Sequence, residues 1–330
     1  ITPLQQLTPE VLQSDIYLFP PRPAYRFHSR TGPGSQRGDP CIGENPPYGA
    51  SINYYLKMGE TAQIKISIQD GKGQTIRTLD GKKDRDINRV WWDLGYERSK
   101  EPRLRTSPLY APWVEVGPRG WRPFPIRGEG RMSVKAPPGH YTVRLSVGGK
   151  EFSQELIIKK DPHSAGSEED IQAQTKLLLE IRDNINGVVE MINQLEWIRK
   201  QVYDLNALLT EDKDVESIIA AGKELDNKVI SVVGNLYEMK VTGRGQDYPY
   251  REPSRLLSKL LNLVGSVSRA DFPPTTQQIE RNEEYKIQLE THRNQFKELL
   301  KSDLPAFNKL LKEKNKYKEW FEAQKEMATE

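Results

Sequence analysis

The chain has 330 residues, 36% of them hydrophobic and 29% charged, with a formal net charge of +3; that length suffices for two ordinary domains with separate cores. No stretch approaches the roughly 18 to 20 unbroken apolar residues that a membrane span needs. A single cysteine, Cys41, excludes an intrachain disulfide and a multi-cysteine zinc site.

The chain opens ITPLQQLTPE, with no Met, no basic start and no apolar h-region. A processed or truncated product without a signal peptide is therefore expected. The charge is uneven, net +9 over residues 1–160 against −6 over 161–330. The basic residues are scattered and no nucleic-acid-binding motif accompanies them, so two domains with different surfaces are expected rather than a nucleic-acid face.

Residues 1–48 read as a linker and irregular segment. From 49 to 160 the pattern is that of short strands. Ala50 to Leu56 forms one, and Ile64, Ile66 and Ile68 alternate with Lys65, Ser67 and Gln69, which buries one face and wets the other. Asp70-Gly71-Lys72-Gly73 signals a hairpin, with Gln74 to Leu79 returning. Val90, Trp91 and Trp92 give a further strand. Tyr141, Val143, Leu145 and Val147 alternate before Gly148-Gly149 turns the chain back through Phe152 to Ile158. Short strands with turns about every 8 to 12 residues predict a fibronectin III- or immunoglobulin-like β-sandwich.

Patterning stops over 97–132, a Pro-rich insertion long enough to be functional or mobile. Its aromatic residues Tyr110, Trp113 and Trp121 could line a sugar- or peptide-binding surface, or could pin the insertion onto its own domain or a neighbour.

Beyond Asp161-Pro162 the period becomes helical. Ser167-Glu168-Glu169-Asp170 opens a helix whose seam runs Ile171, Leu178, Ile181, Ile185, Val188, Ile192, Leu195, Val202, Leu205, Leu209. Steps of 3 and 4 continue with two polar interruptions, Gln174 and Arg199. Ile218, Gly222, Leu225, Val229, Val232, Leu236 and Met239 repeat the spacing. A leucine-rich helix begins at Pro253, placed for the first helical position, and runs to about Arg269; another starts near Thr275. A last one, carrying Phe307, Leu310, Leu311, Tyr317, Trp320 and Phe321, follows Asp303-Leu304-Pro305. Residues 161–330 thus predict an antiparallel helical bundle, and the whole chain a multi-domain fold, all-β followed by all-α.

Motifs for chemistry are absent from the sequence. The histidines at 28, 140, 163 and 292 are dispersed, outside H-x-x-x-H or C-x-x-C contexts. No phosphate loop or nucleophile elbow occurs. Arg37-Gly38-Asp39 spells the integrin tripeptide, too short a signal to imply adhesion. No catalytic, cofactor-binding or metal-binding residue is assigned.

Four phrases carry a resemblance: Gly43 to Leu56 (GENPPYGASINYYL), Ile87 to Leu94 (INRVWWDL), Ala136 to Leu145 (APPGHYTVRL) and Ala270 to Thr275 (ADFPPT). Together with the opening Ile1 to Gln5, they resemble the region after the β-propeller in large bacterial proteins with sortilin-like BNR repeats, often labelled glycosyl hydrolases. The resemblance implies a secreted or periplasmic parent and an upstream propeller as partner; the missing motifs leave no cofactor expected. It carries no catalytic residue onto this chain, because the matching phrases set turns and strands. A non-catalytic accessory region mediating domain packing or protein interaction is the expectation. The alternatives are a carbohydrate-binding module using Tyr110, Trp113 and Trp121, or a hydrolase.

Overall fold

The computed structural model describes residues 2–28, 47–59, 62–125, 127–209, 215–242 and 252–314. Cys41, the Arg37-Gly38-Asp39 tripeptide and the aromatic residues Tyr317, Trp320 and Phe321 lie outside them. The chain divides into two compact units that interleave in sequence. The first comprises Ile1–Arg98, Ser133–Leu179 and Ser268–Pro274, the second Ser99–Met132, Glu180–Val267 and Thr275–Glu330.

In the first unit, two short helices, α1 (Thr2–Gln5) and α2 (Pro9–Gln13), lead into the strands. Helix α2 starts where it does because Thr8 caps the Val11 N–H and Pro9 occupies the first turn, where its missing N–H costs nothing. Strands β1 (Ile16–Leu18), β3 (Ala50–Leu56) and β6 (Asp86–Trp92) form an antiparallel sheet in the order β1-β3-β6. A second sheet runs β2-β10-β9-β4-β5, from β2 (Ala24–Arg26), β10 (Lys150–Lys160), β9 (Gly139–Val147), β4 (Ile64–Gln69) and β5 (Thr75–Asp80).

Both expected hairpins are present. Asp70 closes the first by accepting from Lys72 N and Gln74 N through its Oδ1, and Gly73 takes a left-handed φ of +78°. The core between these strands holds Ile52, Tyr54, Ile66, Trp92, Val143 and Leu145. Burying the Trp92 indole is tolerable because its Nε1 donates to Gly95 O at 2.8 Å.

The fibronectin III- or immunoglobulin-like β-sandwich does not hold. The sheets are small and curled into a half-barrel, and the chain is mixed α/β, with 45% helix and 21% strand. Alternation correctly reports that one face of β4 is buried, but it is silent on strand order. In particular, β2 pairs parallel to β10, Ala24 opposite Ile158, a pairing no local period can signal. The serial picture of an all-β half and then an all-α half fails with it: the first unit includes the opening turns of the long helix, and the second includes a small β-ribbon.

That helix, α3 (Glu168–Leu208), spans 41 residues. It is followed in the second unit by α4 (Glu216–Leu236), α5 (Leu256–Val267) and α6 (Thr276–Glu298). Then come a π-helical turn (Leu299–Asp303) and α7 (Leu304–Glu313). The seam residues Ile181, Ile185, Val188, Ile192 and Leu195 are all buried. Gly222 sits where a Cβ would lie 3.0 Å from the Asn206 side chain, so close helix approach explains it. Helix α6 opens on a capping box between Thr275 and Gln278. Pro305 lacks the N–H that would continue α-helical bonding, and the wide turn precedes it directly. No described helix is long and apolar enough to cross a membrane.

Candidate functional site

Within the second unit, the stretch from Lys100 to Thr106 lies extended along one face of α3. Lys100 N donates to Asn186 Oδ1 and Arg103 N to Asn193 Oδ1, each at 2.8 Å, and Arg105 N donates to Glu196 Oε2 at 2.7 Å. The spacing follows from geometry. Three extended residues advance about 10 Å, and the seven helical residues from Asn186 to Asn193 advance about 10.5 Å. Asn193 answers by donating to Glu101 O at 3.0 Å. Arg103–Leu104 (β7) then pairs with Arg122–Pro123 (β8) to form the ribbon.

Glu196 is the centre of the arrangement and is fully buried. Its carboxylate accepts from Arg105 N, Thr106 N, Thr106 Oγ1, Tyr237 Oη (2.7 Å) and Arg199 Nη1 (3.4 Å). Arg199, also buried, donates through Nε to Asp226 Oδ1 at 2.9 Å and through Nη1 to Thr106 Oγ1 at 2.8 Å. Burial alone would lower the Arg199 pKa, but Glu196 and Asp226 outweigh it and the guanidinium is held firmly charged. Burial, reinforced by Glu196, pushes the Tyr237 phenol well up, so it stays a donor. Arg122, lowered by burial, bonds Thr106 O through Nε at 2.9 Å. A carboxylate offers about four lone-pair sites. Those of Glu196 are taken by neighbours, and it clamps the chain.

Against this cluster lies a cavity of about 630 Å³, lined by residues 105–110, Pro112 and Val116 together with Arg199, Lys200 and Tyr203. Its wall is braced: Leu109 N donates to Met239 O, Ser107 Oγ to Val114 O, and Ala111 N to Pro108 O. Tyr110 stands in this wall with a left-handed φ of +69°, unusual for a bulky residue, and is 76% exposed. The cationic lining side chains are occupied, with Lys200 Nζ on the Asp204 carboxylate and Arg105 stacked 3.5 Å over Trp197.

The three residues singled out from sequence separate here. Tyr110 lines the cavity. Trp113 is 76% exposed but does not line it. Trp121 is 7% exposed and packs under Arg103 and Arg119, whose guanidinium carbons lie 5.5 and 4.1 Å from its ring; its faces serve the fold. Ser99–Met132 belongs to the second unit, with the helices, and not with the strands that flank it in sequence. Sequence reasoning missed Tyr203, Arg199 and Glu196, although Arg199 had left a signal as a polar break in the α3 seam.

The other polar break, Gln174, has an equivalent duty in the first unit. It donates to Ala270 O and Phe272 O and accepts from Arg26 Nη2. Beside it, the buried Asp271 carboxylate accepts from Arg26, Ser164 and His28. Among the described residues, no group of three or more His, Cys, Asp or Glu is placed to hold a metal ion.

Compared with known protein families, curated proteins and solved structures, the chain matches none. These comparisons give the resemblance to proteins with BNR repeats no support.

Proposed function

We propose that this chain is a non-catalytic accessory region of a larger secreted or periplasmic protein, one that follows a β-propeller. Its second unit would bind a segment of a protein partner, with the propeller as first candidate, in the cavity between Tyr110 and Tyr203. One observation carries this reading: the cavity wall is a chain segment held in advance by Glu196 and Arg199. Pre-ordering removes part of the entropy that binding would otherwise cost. Prolines and tyrosines lining a concave surface suit an extended, Pro-containing segment.

The test is co-elution of this chain with the separately expressed propeller, wild type against Tyr110→Ala/Tyr203→Ala. Stable co-elution that the double variant abolishes supports the proposal. Hydrolysis of glycosides by the purified chain would overturn it. A second reading, stacking of a sugar ring on Tyr110, rests on the exposure of that ring beside the cavity. It predicts a glycan-array signal that Tyr110→Ala removes and Trp113→Ala leaves in place.

A further inference from the structure

The first unit holds a separate cavity of about 490 Å³ on the outward face of its three-stranded sheet. The antiparallel register sets Ser51 opposite Trp91 and Asn53 opposite Arg89. Alternate residues share a face, so these four side chains stand together while Ile52 and Trp92 point into the core. Phe19 and four prolines complete the walls.

The charge of this cavity is one-sided. Its charged lining residues are Arg22 and Arg89, and none is acidic. Arg89 Nε donates to Asn53 Oδ1 at 2.9 Å, while its two terminal nitrogens have no partner among the described residues. Arg22 is exposed and likewise has no carboxylate partner among the described residues. A guanidinium fork matches the two oxygens of a carboxylate. Gln6 also lines the cavity, with its Nε2 donating to Pro20 O at 3.5 Å. The indole of Trp91 and the proline rings offer flat apolar surface for the C–H face of a saturated ring.

We propose that this cavity binds a uronic-acid residue of an acidic glycan. Arg89, with Arg22, takes the sugar carboxylate; Trp91 packs on the ring. A carboxylate without a ring would leave the Trp91 and proline surface uncovered, and a neutral sugar would leave the guanidinium groups unanswered. The ligand therefore has to carry both.

Titration calorimetry on the whole chain, with Trp fluorescence in parallel, tests this using trigalacturonate and a glucuronate-bearing hyaluronan tetrasaccharide. The controls are the methyl ester of trigalacturonate, neutral galactotriose and triglutamate. At least one acidic sugar should bind about tenfold or more tighter than the ester or the neutral sugar, as expected for loss of a charge-assisted pair. Arg89→Gln should weaken that binding by a similar factor. Arg22→Gln, at an exposed position, should weaken it without touching the fold, and Tyr203→Ala in the other cavity should leave it unchanged. No binding of either acidic sugar at millimolar concentration, equal affinity for the ester, or tighter binding of triglutamate would each overturn the assignment.

Discussion

Glu196 and Thr106 stand 90 positions apart in sequence and meet twice: Glu196 Oε2 accepts from the Thr106 N–H and from the Thr106 hydroxyl, each at 3.0 Å. The hydroxyl in turn accepts from Arg199. The insertion is thus tied by hydrogen bonds to a buried ion pair within α3, Glu196 with Arg199, an arrangement in which removing one partner of the pair is far more costly than removing both.

Glu196→Ala should therefore destabilise the protein by about 3–5 kcal/mol, because it leaves the Arg199 charge buried with Asp226 as its remaining anion. Urea unfolding measures this. A loss under about 1 kcal/mol would mean that the clamp contributes no more than an exposed pair.

The tryptophans of the insertion should divide by burial. Trp121→Ala empties a buried site and is expected to cost about 3–5 kcal/mol. Trp113→Ala removes an exposed ring and should change stability by less than about 0.5 kcal/mol. Parallel denaturation curves of the two variants check both statements, and equal effects would contradict the packing described for Trp121.

Acid should weaken the first unit through Asp271. Burial alone would raise its carboxyl pKa, but hydrogen bonds from Arg26 and His28 outweigh it and hold the group below the ordinary carboxylate range. A depressed folded-state pKa contributes stability above the unfolded value of about 3.9. That contribution is lost as pH falls from there through the folded value. Stability measured from pH 7 to pH 3 should fall more steeply in the wild type than in Asp271→Asn. Identical profiles would remove Asp271 from the account.

Gly166→Ala should be destabilising although Gly166 does not adopt a left-handed conformation. A Cβ there would sit 1.4 Å from the backbone oxygen of Asp271, and a backbone atom cannot yield as a side-chain tip can. Overpacking of this sort costs about 1–3 kcal/mol or more. An unchanged unfolding midpoint would show that the Ser268–Pro274 segment can shift freely.

Much of the local structure was legible in the sequence because local patterns have local causes. The β4 alternation, the Asp70 hairpin, the α3 seam and the helix start near Thr275 each arise from residues within a few positions of one another. The candidate cavity was partly legible. Tyr110 drew notice as an aromatic residue in a Pro-rich stretch, but the same argument also selected Trp121, which is buried. Composition cannot tell a ring that faces solvent from one covered by two arginines.

Sequence alone determined which segments are strand and which are helix over most of the described chain, and it marked Gln174 and Arg199 as breaks in an apolar seam. Tertiary structure decided what those breaks are for. Each holds a segment close to 100 positions away, Gln174 at residues 270–272 and Arg199 at Thr106. It also decided that β2 joins β10 in parallel and that the sheets curl instead of stacking as a sandwich. The reason is physical: periodicity records only whether a side chain is buried, whereas the partner that buries it is chosen by long-range pairing of charges, hydrogen bonds and strand edges.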